Sequence, residues 1–376
     1  MKFPQQQTFR GKRVFLTGHT GFKGSWLALW LHHLGAEVTG YALEPPTDPN
    51  HFTVADVPSC LAAHHQADIR DADKINAAMR QADPDIVLHL AAQSVVKTSY
   101  EIPRETFDVN VIGTIGVLDA IRELDKPVAA VMITSDKCYE NVEQVWGYRE
   151  QDALGEHDPY GGSKGAAEIA IRSYRHSFFP TSKIDQHGVR LASARAGNVI
   201  GGGDWTKHAL MVDVFNSLAA GEPIRIRSPR ALRPWQHVLQ CLSGYLTIAA
   251  SLLGDDAADY CSGWNIGPMP GNELPVQAVV EHFIECWGSG QYIDASDPNQ
   301  LPEANILRLC IDKAIWNLSW RPCWSVYQSL EKTADWYQAY LQDPDNARNI
   351  SLAQIREYEE ALAAPLPELS STPAPH

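Results

Sequence analysis

Tyr160 and Lys164 stand four residues apart, at the start of an amphipathic stretch from about Tyr160 to Phe178. On a helix they share one face. An ammonium beside a phenol favours the phenolate and lowers its pKa, which makes Tyr160 a candidate base at neutral pH. A second group, Thr134-Ser135-Asp136-Lys137, follows the small and apolar run Val128 to Ile133. That run has the pattern of a buried strand. The carboxyl ends of strands are where open α/β sheets bind ligands. A hydroxyl, a carboxylate, an ammonium and a phenol would then converge on one substrate. Alone, Tyr-x-x-x-Lys is a common chance spacing. Asp136 also suits a helix cap and Lys137 a solvated charge. The sequence upstream gives the pair its weight.

Arg13 to Thr17 is a short apolar strand, followed by Gly18-His-Thr20-Gly21-Phe22-Lys23-Gly24 and an apolar helical pattern from Ser25 to Leu34. Gly35 has the position of a C-cap glycine, and Ala36 to Tyr41 returns as a second strand. Glycines here let the backbone turn tightly and approach a pyrophosphate, which the helix N-terminus stabilises. A dinucleotide is therefore expected on Gly18, Thr20, Gly21, Phe22, Lys23 and Gly24; the alternative is a purely structural turn. The spacing G-x-x-G-x-x-G is a variant of the usual fingerprint. Glu44 could hold ribose hydroxyls or face solvent, and no arginine follows closely to meet a 2′-phosphate, so NAD is favoured over NADP. Asp68, beside Ile69, could face an adenine amino group or cap the helix that starts near Ala72. The buried strand Asp85 to Leu90 exits through Ala91, Ala92 and Gln93, small enough at first for backbone to approach a cofactor. Asn110 either links strand ends or is a satisfied core amide.

Further on, Val189 to Arg195 is a strand, and Ala196 to Trp205 a glycine-rich loop able to wrap a ligand. Arg225, Arg227, Arg230 and Arg233 concentrate positive charge in an otherwise acidic chain. Arginine suits a bidentate grip on pyrophosphate, and surface pairing is an equal alternative. The expected fold is α/β: a Rossmann-type doubly wound parallel sheet over residues 10–195, with a return segment near 232–260, and a smaller mixed α/β substrate domain over 196–345. The chain is helix-rich from Ser325 to Ala364, and the Pro/Ser-rich tail 365–376 is expected to be disordered.

Composition narrows the classes. A net charge of -14 over 376 residues argues against general affinity for nucleic acid or anionic membrane. No apolar run is long enough to span a bilayer. The seven cysteines are scattered without metal-ligand spacing, so no metal is expected and a reducing compartment is the default. Met1 to Arg10 lacks a signal-peptide core. A soluble cytoplasmic protein is expected.

Four runs carry a resemblance more specific than these fingerprints: Glu44-Pro-Pro-Thr-Asp-Pro-Asn50, Thr134-Ser-Asp-Lys-Cys-Tyr-Glu-Asn141, Asn198-Val-Ile-Gly-Gly-Gly-Asp-Trp205 and Arg233-Pro-Trp-Gln-His-Val238. Over roughly Gly11 to Leu341 the chain resembles the extended short-chain dehydrogenases/reductases, and within them the CDP-glucose 4,6-dehydratases. The resemblance implies a tightly held NAD, a nucleotide sugar between two domains, and a homodimer or homotetramer. It implies oxidation at C4 with Tyr160 as base, Lys164 lowering its pKa, and Ser135 on the same hydroxyl. Asp136 would protonate the departing 6-hydroxyl, and hydride would return to C6. Lys137 stands where related dehydratases carry a glutamate base; it would stabilise the enolate or act as the base itself. Gln93, Arg195, Asn198, Arg227 and Arg233 are the candidate substrate contacts. Ala209, Pro302 and Ile306 depart from the family pattern, which leaves base and sugar open. The rivals are a nucleotide-sugar 4-epimerase on the same fold, which needs no acid for a 6-hydroxyl, and a non-catalytic NAD-binding scaffold.

Overall fold

Seven strands form one parallel sheet: β1 (Arg13–Thr17), β2 (Glu37–Ala42), β3 (Leu61–Gln66), β4 (Ile86–His89), β5 (Val128–Ile133), β6 (Val189–Arg195) and β7 (Gly263–Asn265). Their spatial order is β7-β6-β5-β4-β1-β2-β3, with every neighbouring pair parallel. The order reverses between β1 and β4, which places the ligand crevice at their carboxyl ends. The computed structural model describes residues 5–296 and 305–364. The tail 365–376, expected to be disordered, and Pro302 lie outside the described residues.

β4 and β5 are buried at every position, as central strands covered on both faces must be. Two apolar cores result. One holds Phe15, Val87, Met132 and Leu191 beneath the Ala72–Ala82, Thr114–Arg122 and Pro159–Ser177 helices. The larger one holds Leu16, Leu88 and Val131 beneath the Phe22–His33 and Val238–Leu252 helices. After the 196–232 excursion the chain thus returns to the sheet with Val238–Leu252 and β7. No described helix is long and apolar enough to cross a membrane, and no group of three metal-ligating side chains occurs among the described residues.

The helix Phe22–His33 is buried almost all round, so it needs partners besides the sheet. Trp26 donates its indole N–H to Gly202 O at 3.0 Å and stacks on His51 at 4.7 Å. Trp30 donates to Glu359 at 2.8 Å, and His51 bonds Ser351 at 3.0 Å. The partners Glu359 and Ser351 belong to the helix Ala347–Ala363. That late helix therefore closes the first β-α-β unit, across more than 300 residues of sequence.

Candidate active site

The glycine loop has the shape its spacing predicts. Gly18 adopts φ +74, and a Cβ there would lie 2.7 Å from Ala91 N, so β1 and β4 can approach only through a glycine. A Cβ on Gly24 would lie 2.1 Å from Gly18 O, which fixes that position as glycine for loop-to-helix packing. At Gly21 only Gly18 O comes near, at 3.5 Å. No side chain caps the helix that begins at Phe22. Its first amides therefore face the crevice with the positive end of the helix dipole behind them. This cradle fits a pyrophosphate. Thr20 ties the loop to β2 by donating to Leu43 O at 2.9 Å. Asp68 forms a close pair with Arg70 at 2.6 Å, Asp71 caps the Ala72–Ala82 helix in its stead, and Ile69 is buried against Gly113. Glu44 is exposed.

The carboxyl end of β5 carries the second group. Ser135 Oγ donates to Asp136 Oδ1 at 3.0 Å and accepts from Lys137 N at 3.2 Å. Asp136 is buried, and its Oδ2 has no protein partner. Burial raises the Asp136 pKa; Lys137, Ser135 and Arg233 oppose this without reversing it. The loop after β6 closes on the same carboxyl, since a Cβ on Gly197 would lie 1.8 Å from Asp136 Oδ2.

The helix Pro159–Ser177 supplies Tyr160 and Lys164. Asp158 caps it by accepting from Gly161 N at 2.9 Å, and Pro159 fills the first turn. Tyr160 N donates to Ser99 Oγ at 3.1 Å, and the Ser135 hydroxyl is the hydrogen-bonding neighbour of the phenol. One expectation needs correcting here. Burial raises the Tyr160 pKa, Asp136 and Asp158 push the same way, and the main opposing influence is Ser135 rather than Lys164. Lys164 bears the shift instead: burial first, then the charge of Lys23, brings it down to about 7. At rest the phenol holds its proton and the lysine is partly neutral.

Arg195, expected to grip phosphate, is committed to the interior. It pairs with Glu168 at 2.8 Å and donates to Tyr139 Oη at 2.7 Å and Glu150 O at 3.0 Å. Glu168 also accepts from Thr134 at 2.6 Å and Ser193 at 2.9 Å, and Tyr139 Oη donates to Asn265 at 2.6 Å. Burial alone would raise Glu168, but Arg195 and these hydroxyls hold it below the usual range. Glu168 was not singled out from sequence, although it lies four residues past Lys164 on the same helix face. Gln93 is similarly engaged: its amide donates to Thr106 at 2.9 Å and accepts from Val95 N at 2.6 Å. Asn110 links the β4 exit to the Tyr160 helix, bonding Gln93 N, Gln93 O and Ser163 Oγ, each at 2.9 Å.

Asn198 holds φ 47, and its buried Oδ1 lacks a protein partner. Arg233 is buried and its charge reaches Asp136. Arg227, half-exposed, lies 4.0 Å from Asp213. Ala209 precedes the Leu210–Ala220 helix and offers it no side-chain cap; Ile306 O accepts from Asn141 at 3.1 Å. Two of the specific sequence runs wall one cavity of about 410 Å³, lined by Pro46, Thr47, Asp48, Pro49, Trp205, Lys207, Val212 and Asn216.

Comparison with known proteins agrees with this geometry. Residues 15–185 match the family model described as GDP-mannose 4,6 dehydratase. The chain is 44% identical to CDP-glucose 4,6-dehydratase of Salmonella typhimurium, over 95% of this chain and 98% of that protein. It is 27% identical to dTDP-glucose 4,6-dehydratase of Streptomyces antibioticus, over 86% and 92% of the two chains. Among solved structures, dTDP-glucose 4,6-dehydratase of Streptomyces venezuelae, with NAD bound, aligns with TM-score 0.74 at 22% identity, covering 89% of this chain and 99% of the other. An epimerase from Methanothermobacter thermautotrophicus aligns with TM-score 0.75 at 20% identity, covering 92% and 97%. The two structural likenesses establish the fold, and the Salmonella relative the lineage: the chain belongs to the nucleotide-sugar dehydratase and epimerase family of short-chain dehydrogenases/reductases, alongside the CDP-glucose 4,6-dehydratases.

Proposed function

We propose that this protein is an NAD-dependent CDP-glucose 4,6-dehydratase, a hydro-lyase releasing water and CDP-4-keto-6-deoxyglucose. The observation that carries the reading is the Asp136 carboxyl: buried, raised in pKa, hydrogen-bonded to Ser135 on one oxygen and unpartnered on the other. A carboxyl whose pKa is raised by burial is suited to protonate the departing 6-hydroxyl. A 4-epimerase has no such need.

Gly18, Gly21, Phe22 and Gly24 would hold the NAD pyrophosphate, and Leu90, Ala91 and Ala92 would flank the cofactor at the β4 exit. Bound NAD supplies the hydride acceptor for C4 and the donor for C6. Tyr160 takes the 4-hydroxyl proton, with Ser135 bonding the same oxygen. Because burial holds the phenol up, the forming phenolate relies on Lys164 taking its full charge beside it. The 4-ketone acidifies C5, and Lys137 takes that proton itself or stabilises the enolate left when another base takes it, with Glu156 the carboxylate that feels its charge. Asn198 and Arg233 contact the substrate phosphates, with Arg227 further out. Arg195 acts at one remove, holding the frame of the site.

Incubation of the purified protein with CDP-glucose should give the alkali-induced absorbance of a 4-keto sugar and exchange of the C5 hydrogen with solvent. A product that keeps its 6-hydroxyl would overturn the dehydratase reading in favour of the epimerase. Parallel assays with UDP-, GDP- and dTDP-glucose test the base.

We also propose a cytoplasmic homodimer or dimer of dimers. Phe107, Ile112 and Ile169 are 40%, 55% and 49% exposed on the mutually packed 103–122 and 159–177 segments. A second copy would cover this apolar face. Ile112→Asp should shift the mass measured by light scattering toward the monomer; an unchanged mass removes this face from the assembly.

A further inference from the structure

Gln236 is fully buried within the run Arg233-Pro-Trp-Gln-His-Val238. Its side-chain amide donates to Ile266 O at 3.0 Å and to Gly197 O at 3.2 Å. Both partners are carbonyls, so the NH2 end of the amide must face them. The other end, Oε1, is buried without a partner. The side chain thus ties together two loops that leave neighbouring strands, since Gly197 follows β6 and Ile266 follows β7. The backbone holds the same corner separately. Gln236–His237 runs parallel to Val199–Ile200, and Gln236 N donates to Asn198 O at 3.2 Å. The side chain extends that hold by one residue, to Gly197. Gly197 is buried and pressed against the Asp136 carboxyl, with no room for a methyl group between them.

We infer that Gln236 is a positioning residue for the reaction: by pinning the Gly197 carbonyl to the end of β7, it holds backbone over the Asp136 carboxyl and keeps water off the free oxygen. The inference rests on the reading of Asp136 as the acid. A glycine step is the most permissive in a chain, so the loop needs an outside tether to stay in place. Without the amide, two buried carbonyls lose a donor and draw water into the corner. Water beside Asp136 favours its charged form and undoes the effect of burial. The titratable and charged groups around Asp136 are Lys137, Cys138, Tyr160, Arg233 and Tyr245. Gln236 adds no charge to that set, so it acts on Asp136 through Gly197. It touches neither substrate nor cofactor and transfers no proton.

The test is an infrared pH titration of Asp136 on the full chain, read as the protonated-carboxyl band that Asp136→Asn removes, in wild type and in Gln236→Met. In Gln236→Met the midpoint should move down by about one pH unit. Turnover of CDP-glucose should fall about tenfold in the same variant, with KM within about twofold of wild type. A midpoint that stays at its wild-type value, even with a lower melting temperature, makes Gln236 only a structural brace and overturns the inference. Gln236→Asn keeps the amide but is one methylene too short to reach both carbonyls; it repeats the titration should methionine prevent folding, with the same shift expected. The titration needs no substrate. A wild type inert on CDP-glucose therefore defeats the dehydratase reading, while the midpoint still decides the role of Gln236.

Discussion

Two buried carboxyls serve the region around the ends of β5 and β6, Asp136 in the turn after β5 and Glu168 on the helix Pro159–Ser177, and their surroundings differ. Glu168 has both oxygens occupied, by Arg195, Thr134 and Ser193. Asp136 has one oxygen bonded to Ser135 and the other left without a protein partner. The first is held below the usual carboxylate range and the second above it. Both are out of water, so hydrogen-bond satisfaction and charge pairing set the difference, not depth. A satisfied carboxylate locks strands and helix together, whereas a carboxyl with one free oxygen and a raised pKa is suited to hand a proton to a ligand.

The contrast can be broken most completely at Gly197. Gly197→Ala drives a methyl group into the Asp136 carboxyl, so turnover should fall about 10³-fold or more while NAD is still retained; near-normal turnover would show that the loop yields freely. Asp136→Asn comes next. It keeps the shape and loses the acid, and should cost about 10²–10⁴ in turnover with little change in melting temperature. Its converse on the satisfied side is Arg195→Met, which strands Glu168 without its cation. Denaturant unfolding should show a loss of about 3–5 kcal/mol, against a much smaller loss in Asp136→Asn.

The pH dependence sharpens the same comparison. Glu168, depressed in the folded state, contributes stability at neutral pH that is lost as pH falls through its folded value. Asp136, raised in the folded state, acts in the opposite sense, its contribution falling as pH rises through its own value. Turnover should therefore decline on the alkaline side as Asp136 loses its proton. A modest effect on stability is expected at Lys164. Its folded value of about 7 lies below the ordinary lysine value of 10.5, so the unfolded chain binds more protons across that interval and stability rises with pH. Lys164→Met should abolish turnover yet raise the melting temperature at pH 7 by roughly 2–4 °C. The gain should shrink toward pH 10, as differential scanning calorimetry would show.

The conformational demands of this fold were easy to read from sequence, and its long-range pairings were not. Gly18 and Gly24 are dictated by local backbone geometry, so their spacing announced the cradle. The strands Val128–Ile133 and Val189–Arg195 were legible as buried runs with sharp ends. β3 was not, because Leu61–Gln66 is an edge strand with alternate residues exposed and two histidines in it; β7, three residues long, carries too little pattern. Arg195 looked like a phosphate ligand because its partner Glu168 is 27 residues away and met only through the β6–helix packing. The Tyr160 pKa was misjudged for a related reason. Charge neighbours can be counted from helix spacing, but burial depends on what closes over the residue. Asn110 was readable as a link between strand ends or a satisfied core amide; it is a buried amide with its bonds satisfied, and it joins the β4 exit to the Tyr160 helix.

The closure of the Phe22–His33 helix by Ala347–Ala363 has a consequence for biogenesis. Trp30 has no complete set of packing partners until that late segment has left the ribosome. The nucleotide-binding half therefore cannot mature as an independent folding unit during synthesis, and a fragment cut at the end of β6 would emerge with an indole-rich surface open to chaperones and aggregation.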